Sequence, residues 1–331
     1  MATKTQQWQA DQELSGFETM TLTYPDDYEG KVIATLIRRH TTVASDHAVL
    51  YIHGYMDYFF QPHLADAFNQ QGYNFFALDL RKYGRSLLEH QHPNFCKSID
   101  EYFVEISDAI RIITEDEGNK TLLLMGHSTG GLTSSLYANS GQYRERIDAV
   151  LLNSPFFDWY LNKSDQRLLS IANIIGMINP HFVSVKPDKP TPYMQSIHKS
   201  EHGEWDFSLT YRPIAGFPIY AGWGRAISKA HKQVHNGLNI NCPVLLLSSD
   251  KSTHDTTWNE AYQSADTVLN VEHMRQNLHN LGKDVKHIEI TDGLHDLVLS
   301  RPDVRQTYLD EIMNWLKTRQ LLPNQTVVSE G

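Results

Sequence analysis

Leu122-Leu123-Leu124-Met125-Gly126-His127-Ser128-Thr129-Gly130-Gly131 carries an apolar run of strand length straight into Gly-x-Ser-x-Gly, and a helix-like stretch begins at Leu132. A strand that must become a helix within a few residues holds its central residue in a strained backbone conformation, which here would expose the Ser128 hydroxyl. Gly126 and Gly130 stand where a side chain would strike neighbouring backbone. The pentapeptide alone is weak; its weight comes from its surroundings.

Working outward, short apolar strands at 48–53, 75–80, 121–125, 149–153, 244–248 and 286–290 alternate with helical stretches at 63–71, 99–117, 132–139, 271–281 and 304–318. Near-continuous apolar strands separated by helices predict a mostly parallel central sheet covered on both faces, an α/β architecture. Ahead of it, 18–24 and 31–39 alternate apolar and polar positions around Pro25-Asp26-Asp27 and Glu29-Gly30, the pattern of an antiparallel hairpin. The alternation breaks once, in an aromatic- and proline-rich stretch containing Trp159, Tyr160, Tyr193, Trp205, Phe207, Tyr211 and Trp223. The expected organisation is a core over 1–156 and 242–322, an inserted cap over 157–241 and a flexible tail over 323–331. The cap would lie over the carboxyl ends of the strands, where such sheets bind ligands. Within it, 168–178 reads as a helix apolar nearly all round, either roofing a pocket or forming the cap's own core.

A chain of 331 residues with 40% hydrophobic and 21% charged residues has the composition of an ordinary globular protein. Its net charge of −10 argues against a nucleic-acid partner, since phosphate binding needs a cationic face. No export signal and no membrane-spanning run is legible, so a soluble cytoplasmic protein is expected; transient contact with a membrane surface is left open, as is the oligomeric state. Cys96 and Cys242 alone do not make a disulfide framework.

Acyl transfer by serine needs a base for the hydroxyl proton, an acid to orient that base and backbone donors for the oxyanion. Of 17 histidines, His295 alone follows the last strand by a short glycine-containing loop and precedes the final helix. For the acid, Asp250 lies immediately beyond the strand at 244–248, with Asp255 a little further on, while Asp266 stands before the helix that leads into the final strand. Asp250 and Asp266 both have a claim. Asp266 is favoured, because one helix and one strand then separate it from His295 with no leftover segment, at the cost of an insertion over 251–265. The N–H of Thr129 and the N–H of Tyr55, in Ile52-His53-Gly54-Tyr55, are the candidate oxyanion donors. His53 reads as a brace for that loop, and Tyr58, Phe59 and Phe60 as candidates for a pocket wall.

These pieces together resemble an α/β-hydrolase of the lysophospholipase and monoacylglycerol lipase-like group, which is also described as serine aminopeptidase-like. The resemblance rests on His53-Gly54, the segment from Ala77 through Asp79-Leu80-Arg81-Lys82-Tyr83-Gly84-Arg85-Ser86, Gly126 to Gly131, Ser264-Ala265-Asp266 and Gly293-Leu294-His295, spread over most of the chain outside the cap. Within it, Asp79 to Ser86 resembles the family's Asp-x-Arg-Gly-x-Gly-x-Ser, with Lys82 in place of a glycine. The family often places its acid as Gly-x-x-Asp close after the strand, where this chain has Ser249-Asp250. The resemblance implies a serine esterase working through Ser128, His295 and Asp266 and an acyl-enzyme, on small acyl esters such as monoacylglycerols or lysophospholipids.

Two other readings stand beside it. A peptidase removing N-terminal residues would need a cap carboxylate such as Glu201 or Glu204 for the substrate amine; a ligand receptor on the same fold would scarcely turn over. No metal or organic cofactor is expected. The helically spaced pairs His198 with His202 and His231 with His235 lack the further ligands a zinc site would need.

Overall fold

The computed structural model describes residues 7–161, 163–254 and 257–323. Among these, nine strands form one sheet: β1 (Gln9–Ala10), β2 (Glu18–Asp27), β3 (Gly30–Arg39), β4 (His47–Ile52), β5 (Asn74–Asp79), β6 (Thr121–His127), β7 (Ala149–Asn153), β10 (Val244–Ser249) and β11 (Val285–Ile290). A separate two-stranded ribbon pairs β8 (Val183–Val185) with β9 (Ile219–Tyr220). The large sheet has the order β1-β2-β3-β5-β4-β6-β7-β10-β11. It is antiparallel from β1 through the β3–β5 pair and parallel thereafter. The hairpin and the parallel run are those the patterning predicts.

Eight helices accompany the strands among the described residues: α1 (Pro62–Gln70), α2 (Phe103–Arg111), α3 (Thr129–Ser140), α4 (Lys163–Ile178), α5 (Pro192–Ile197), α6 (Ala221–His235), α7 (Val271–Asn277) and α8 (Pro302–Thr318). Two apolar clusters sandwich the sheet. One joins Leu50, Leu124 and Leu152 to Leu132 and Leu136 of α3 and to Trp223 and Ile227 of α6. The other joins Val49, Leu123 and Leu245 to Leu64 and Phe68 of α1 and to Tyr308 and Leu316 of α8. Leu123 and Leu124 therefore point to opposite faces, as a doubly covered strand requires.

Three expectations change. The single helix expected over 99–117 is a 3-10 turn at Ile99–Tyr102, then α2, then a π-helical turn at Ile112–Asp116. The helix after Ser128 begins at Thr129 rather than Leu132, because the tight bend leaves no connecting residues. Finally, the 168–178 stretch of α4 does not line the cavity over Ser128, and it packs by one face only: Leu168, Ile171, Ile174, Met177 and Ile178 are 54–77% exposed. Close packing of α4 runs instead through Gly176, where a Cβ would come within 2.3 Å of the Ala221 carbonyl oxygen on α6.

Candidate active site

At the bend, Ser128 has φ +53° and ψ −117°, between the end of β6 and the start of α3. The helix presses against the end of β4 so closely that a Cβ on Gly130 would lie 2.3 Å from the Ile52 carbonyl oxygen, and one on Gly126 would lie 2.4 Å from that of Gly130. Only glycine fits these positions, which is why the motif carries them. The bend is held by Ser128 N–H donating to the Asn153 carbonyl at 2.9 Å and by Phe156 N–H donating to the Ser128 carbonyl at 3.0 Å.

The loop after β11 brings His295 to this serine. His295 Nε2 lies 2.9 Å from Ser128 Oγ, and His295 Nδ1 lies 2.9 Å from Asp266 Oδ2. All three side chains are buried, Asp266 completely. The second Asp266 oxygen accepts the N–H groups of Val268 and Leu269 at 2.9 and 2.8 Å. With the carboxylate fixed from behind, the imidazole keeps Nδ1 as its donor and presents Nε2 to the serine.

Asp266 reaches this place by an excursion of the chain. Its N–H donates to the Lys251 carbonyl, and its own carbonyl accepts from Thr253 N–H, both at 3.0 Å, so the stretch between leaves and returns to the continuation of β10. Asp250 is occupied otherwise: its Oδ1 accepts the N–H of Asp292, whose φ of +60° starts the turn that carries His295. Asp255 lies outside the described residues.

Tyr55 and Thr129 both line the cavity above Ser128, and the Thr129 N–H belongs to the first turn of α3, where backbone donors lack intrahelical acceptors. His53 braces the Tyr55 loop. It donates from Nδ1 to the Gly54 carbonyl at 2.7 Å and accepts the Leu80 N–H at Nε2, and burial holds its pKa below the ordinary value. The segment from Asp79 is equally structural: Asp79 accepts from the N–H groups of Phe59 and Arg85 and pairs with the Arg85 side chain. Lys82 adopts φ +66°, a conformation glycine takes more readily.

Behind the serine lies a buried group of charges that the sequence did not announce. Asp57, three residues past Gly54, pairs through Oδ1 with Nη1 of Arg212 at 2.6 Å. His127 stands between two carboxylates, 3.5 Å from Asp57 and 3.9 Å from Asp296, with its ring centre 5.0 Å from that of His295. Burial acts to lower the His127 pKa, but Asp296 and Asp57 outweigh it and raise it. Asp296 also accepts from Asn153 Nδ2 at 2.7 Å. Adjacency to Ser128 and His295 was the one signal for His127 and Asp296; nothing local pointed to Arg212, which arrives from the 157–241 stretch.

The cavity over Ser128 measures about 420 Å³. Its walls are mainly apolar, including Phe156, Trp159, Ile219, Trp223 and Leu269, with Tyr193 and Arg212 supplying polarity. Tyr55 stacks on Trp223 with ring centres 3.8 Å apart. Trp159, Tyr160, Tyr193 and Trp223 thus face the cavity. Tyr58, Phe59 and Phe60, expected in its wall, are instead buried in the core, where Phe59 packs on Phe17, Tyr51 and Phe75. Glu201 and Glu204 do not line the cavity, and Glu204 pairs with Arg305. The helically spaced histidines are engaged elsewhere. His231 and His235 donate to the Phe156 and Phe157 carbonyls at 2.9 and 3.0 Å, His198 bonds Ser200, and His202 stacks on Trp258.

Sheet order and the bend after β6 define an α/β-hydrolase. The profile of the family described as "Serine aminopeptidase, S33" matches residues 44–300, and the chain belongs to that family. It is 21% identical over 278 residues to a monoacylglycerol lipase of Mycolicibacterium smegmatis, covering 81% of this chain and 87% of the relative. A putative monoglyceride lipase of Schizosaccharomyces pombe is 21% identical over 292 residues, 85% of this chain and 70% of the relative. Among solved structures, a soluble variant of monoglyceride lipase from Saccharomyces cerevisiae, in complex with a substrate analog, superposes with a TM-score of 0.63 at 16% identity, covering 90% of this chain and 95% of that one. A monoacylglycerol lipase from Paleococcus ferrophilus gives 0.61 at 19% identity, with 86% and 98% covered.

Proposed function

We propose that the chain is a serine hydrolase of carboxylic esters, acting on esters with a single acyl chain such as monoacylglycerols or lysophospholipids. The observation that carries this reading is the file Ser128 Oγ, His295 Nε2, His295 Nδ1, Asp266 Oδ2, linked by two contacts of 2.9 Å at the floor of an apolar cavity. Ser128 Oγ attacks the ester carbonyl as His295 Nε2 takes its proton, and the Asp266 carboxylate stabilises the imidazolium. The N–H groups of Tyr55 and Thr129 receive the oxyanion. Collapse of the tetrahedral species breaks the bond to the alcohol, which leaves with the proton from His295. Water, deprotonated by the same imidazole, then releases the acid and restores Ser128.

The names of the relatives and the apolar walls support an acyl substrate, and the 157–241 stretch acts as its cap. The exposed apolar side chains of α4, with Phe182, Val183 and Val185 beside them, suit transient contact with a lipid surface. Glu201 and Glu204, the carboxylates offered as amine anchors for the peptidase reading, stand away from the cavity. The deciding experiment compares p-nitrophenyl acyl esters of increasing chain length with aminoacyl-anilides, using the wild-type chain and Ser128→Ala, with fluorophosphonate labelling of the serine in parallel. Ester cleavage and labelling that vanish together in Ser128→Ala are expected. Cleavage of anilides alone, or an unlabelled chain that turns over neither substrate, would overturn the reading.

A further inference from the structure

Away from Ser128, three potential metal donors from three distant parts of the sequence meet at one point. Glu29 comes from the tight turn between β2 and β3, His92 from the loop after Ser86, and His181 from the turn between α4 and β8. Their ligand atoms all lie within 4.8 Å of one another. Glu29 Oε1 faces both imidazoles, 2.5 Å from His92 Nδ1 and 3.4 Å from His181 Nε2. The two rings are stacked 4.3 Å apart and 7° from parallel.

We infer that this cluster is a divalent-metal site, with Zn²⁺ its best-suited occupant, that ties the inserted segment to the sheet domain. Two imidazoles and a carboxylate form a donor set zinc favours, with water completing the tetrahedron on the open side. Tetrahedral zinc with bonds of about 2.0–2.1 Å separates its ligand atoms by about 3.3 Å. The His181 to Glu29 distance already matches; His92, half-exposed on its loop, takes its place by opening less than about 1 Å from Glu29 and tilting out of the parallel stack, so that the two in-plane lone pairs converge on one ion.

A second observation points the same way. His181 Nε2 is shut off from solvent yet has no aligned hydrogen-bond partner. The nearest acceptor, Glu29 Oε1 at 3.4 Å, does not satisfy this nitrogen, and a cation bound by both would. The charge balance permits one. Lys82 Nζ, fully buried, lies 2.5 Å from Glu29 Oε2 and 2.9 Å from Asp27 Oδ2, so one ammonium faces two carboxylates and Glu29 Oε1 is left for the metal.

The position gives the metal a structural task. The carbonyl oxygens of Pro180 and Phe182, on either side of His181, accept the N–H groups of Gly222 and Ala221 at the start of α6. Trp223, the next residue of α6, is part of the cavity wall. A metal on His181 and His92 would hold that wall to the sheet domain.

The test titrates the full, chelator-stripped chain with Zn²⁺ by calorimetry and follows thermal unfolding alongside. One equivalent with micromolar or tighter Kd is expected, together with a raised unfolding midpoint. His92→Gln and His181→Gln should each weaken binding by at least about tenfold and cancel most of the midpoint gain. His202→Gln should behave as wild type. Circular dichroism of the metal-free variants checks their fold; His181→Phe, which keeps a stacked ring, substitutes for a glutamine variant that unfolds. A wild-type chain that takes up no equivalent, or folded variants that bind as wild type does, would overturn the site.

Discussion

Asp266 and His295 meet at 2.9 Å across 29 residues of sequence, while Asp250, nearer to its strand, reaches the same histidine only indirectly by accepting the Asp292 N–H. The two carboxylates therefore support one loop in different ways. Asp266→Asn should lower kcat for a p-nitrophenyl ester by about 10⁴-fold, because an amide favours the wrong imidazole tautomer. Asp250→Asn, which keeps an acceptor for the turn, should leave kcat within about tenfold and cost no more than about 1 kcal/mol in urea unfolding. The opposite ranking of the two variants in kcat would assign the acid to Asp250.

Arg212 carries charge into the buried group behind Ser128. Burial acts to raise the Asp57 pKa, but the Arg212 guanidinium and His127 outweigh it and hold the carboxyl down to about 2. Arg212→Met leaves that carboxylate buried without its partner, at a cost of about 3–5 kcal/mol. Without Arg212 the folded-state pKa of Asp57 should rise above its unfolded value. Stability should then be lost as pH rises through the new pKa, making the defect larger at pH 7 than at pH 4. Urea unfolding at the two pH values reads both effects, and restoration by Asp57→Asn in the double variant tests the pairing.

His231 is expected to make the fold sensitive to acid. Its Nε2 donates to the Phe156 carbonyl, its Nδ1 is buried without a partner, and burial followed by the charge of His235 pushes its pKa from 6.5 down to about 3. Between those values the unfolded chain binds a proton that the folded chain refuses. Stability should therefore fall as pH drops through this window, by up to about 1.4 kcal/mol per pH unit from this group. His231→Gln keeps a donor for Phe156 and removes the titration, so unfolding free energy measured from pH 6.5 to 4 should decline less steeply. An unchanged slope would assign the acid sensitivity to other groups.

The outward apolar face of α4 can be tested separately from chemistry. Ile171 and Ile174 are 54% and 56% exposed and contribute nothing to the cavity wall. Replacing both with glutamate should weaken co-sedimentation with phosphatidylcholine vesicles by at least about tenfold. Turnover of a soluble short-chain ester should stay at the wild-type level, and equal vesicle binding by both chains would reject the surface.

Much of the frame was legible because it is written locally. Strand and helix periods placed the parallel run, and glycine spacing placed the bend at Ser128, since the close approach of Gly130 to Ile52 leaves no room for a Cβ. His295 was legible from its address after the last strand. Asp266 was harder to separate from Asp250, because distance along the chain says nothing of an excursion that returns to where it left. The aromatics were not sortable at all: Trp223 and Phe59 have the same apolar character in sequence and both are buried in the core, yet only Trp223 also lines the cavity.

What the sequence determined by itself is the backbone's course through the site, because hydrophobic period and glycine sterics act over a few residues. Tertiary structure alone decided which charges meet. Arg212 finds Asp57 across 155 residues, and the partners of His127 come from two other loops, through packing that no local pattern encodes. It also decided that α4 turns its apolar side outward, since what a helix buries depends on the neighbour it meets as well as on its own periodicity.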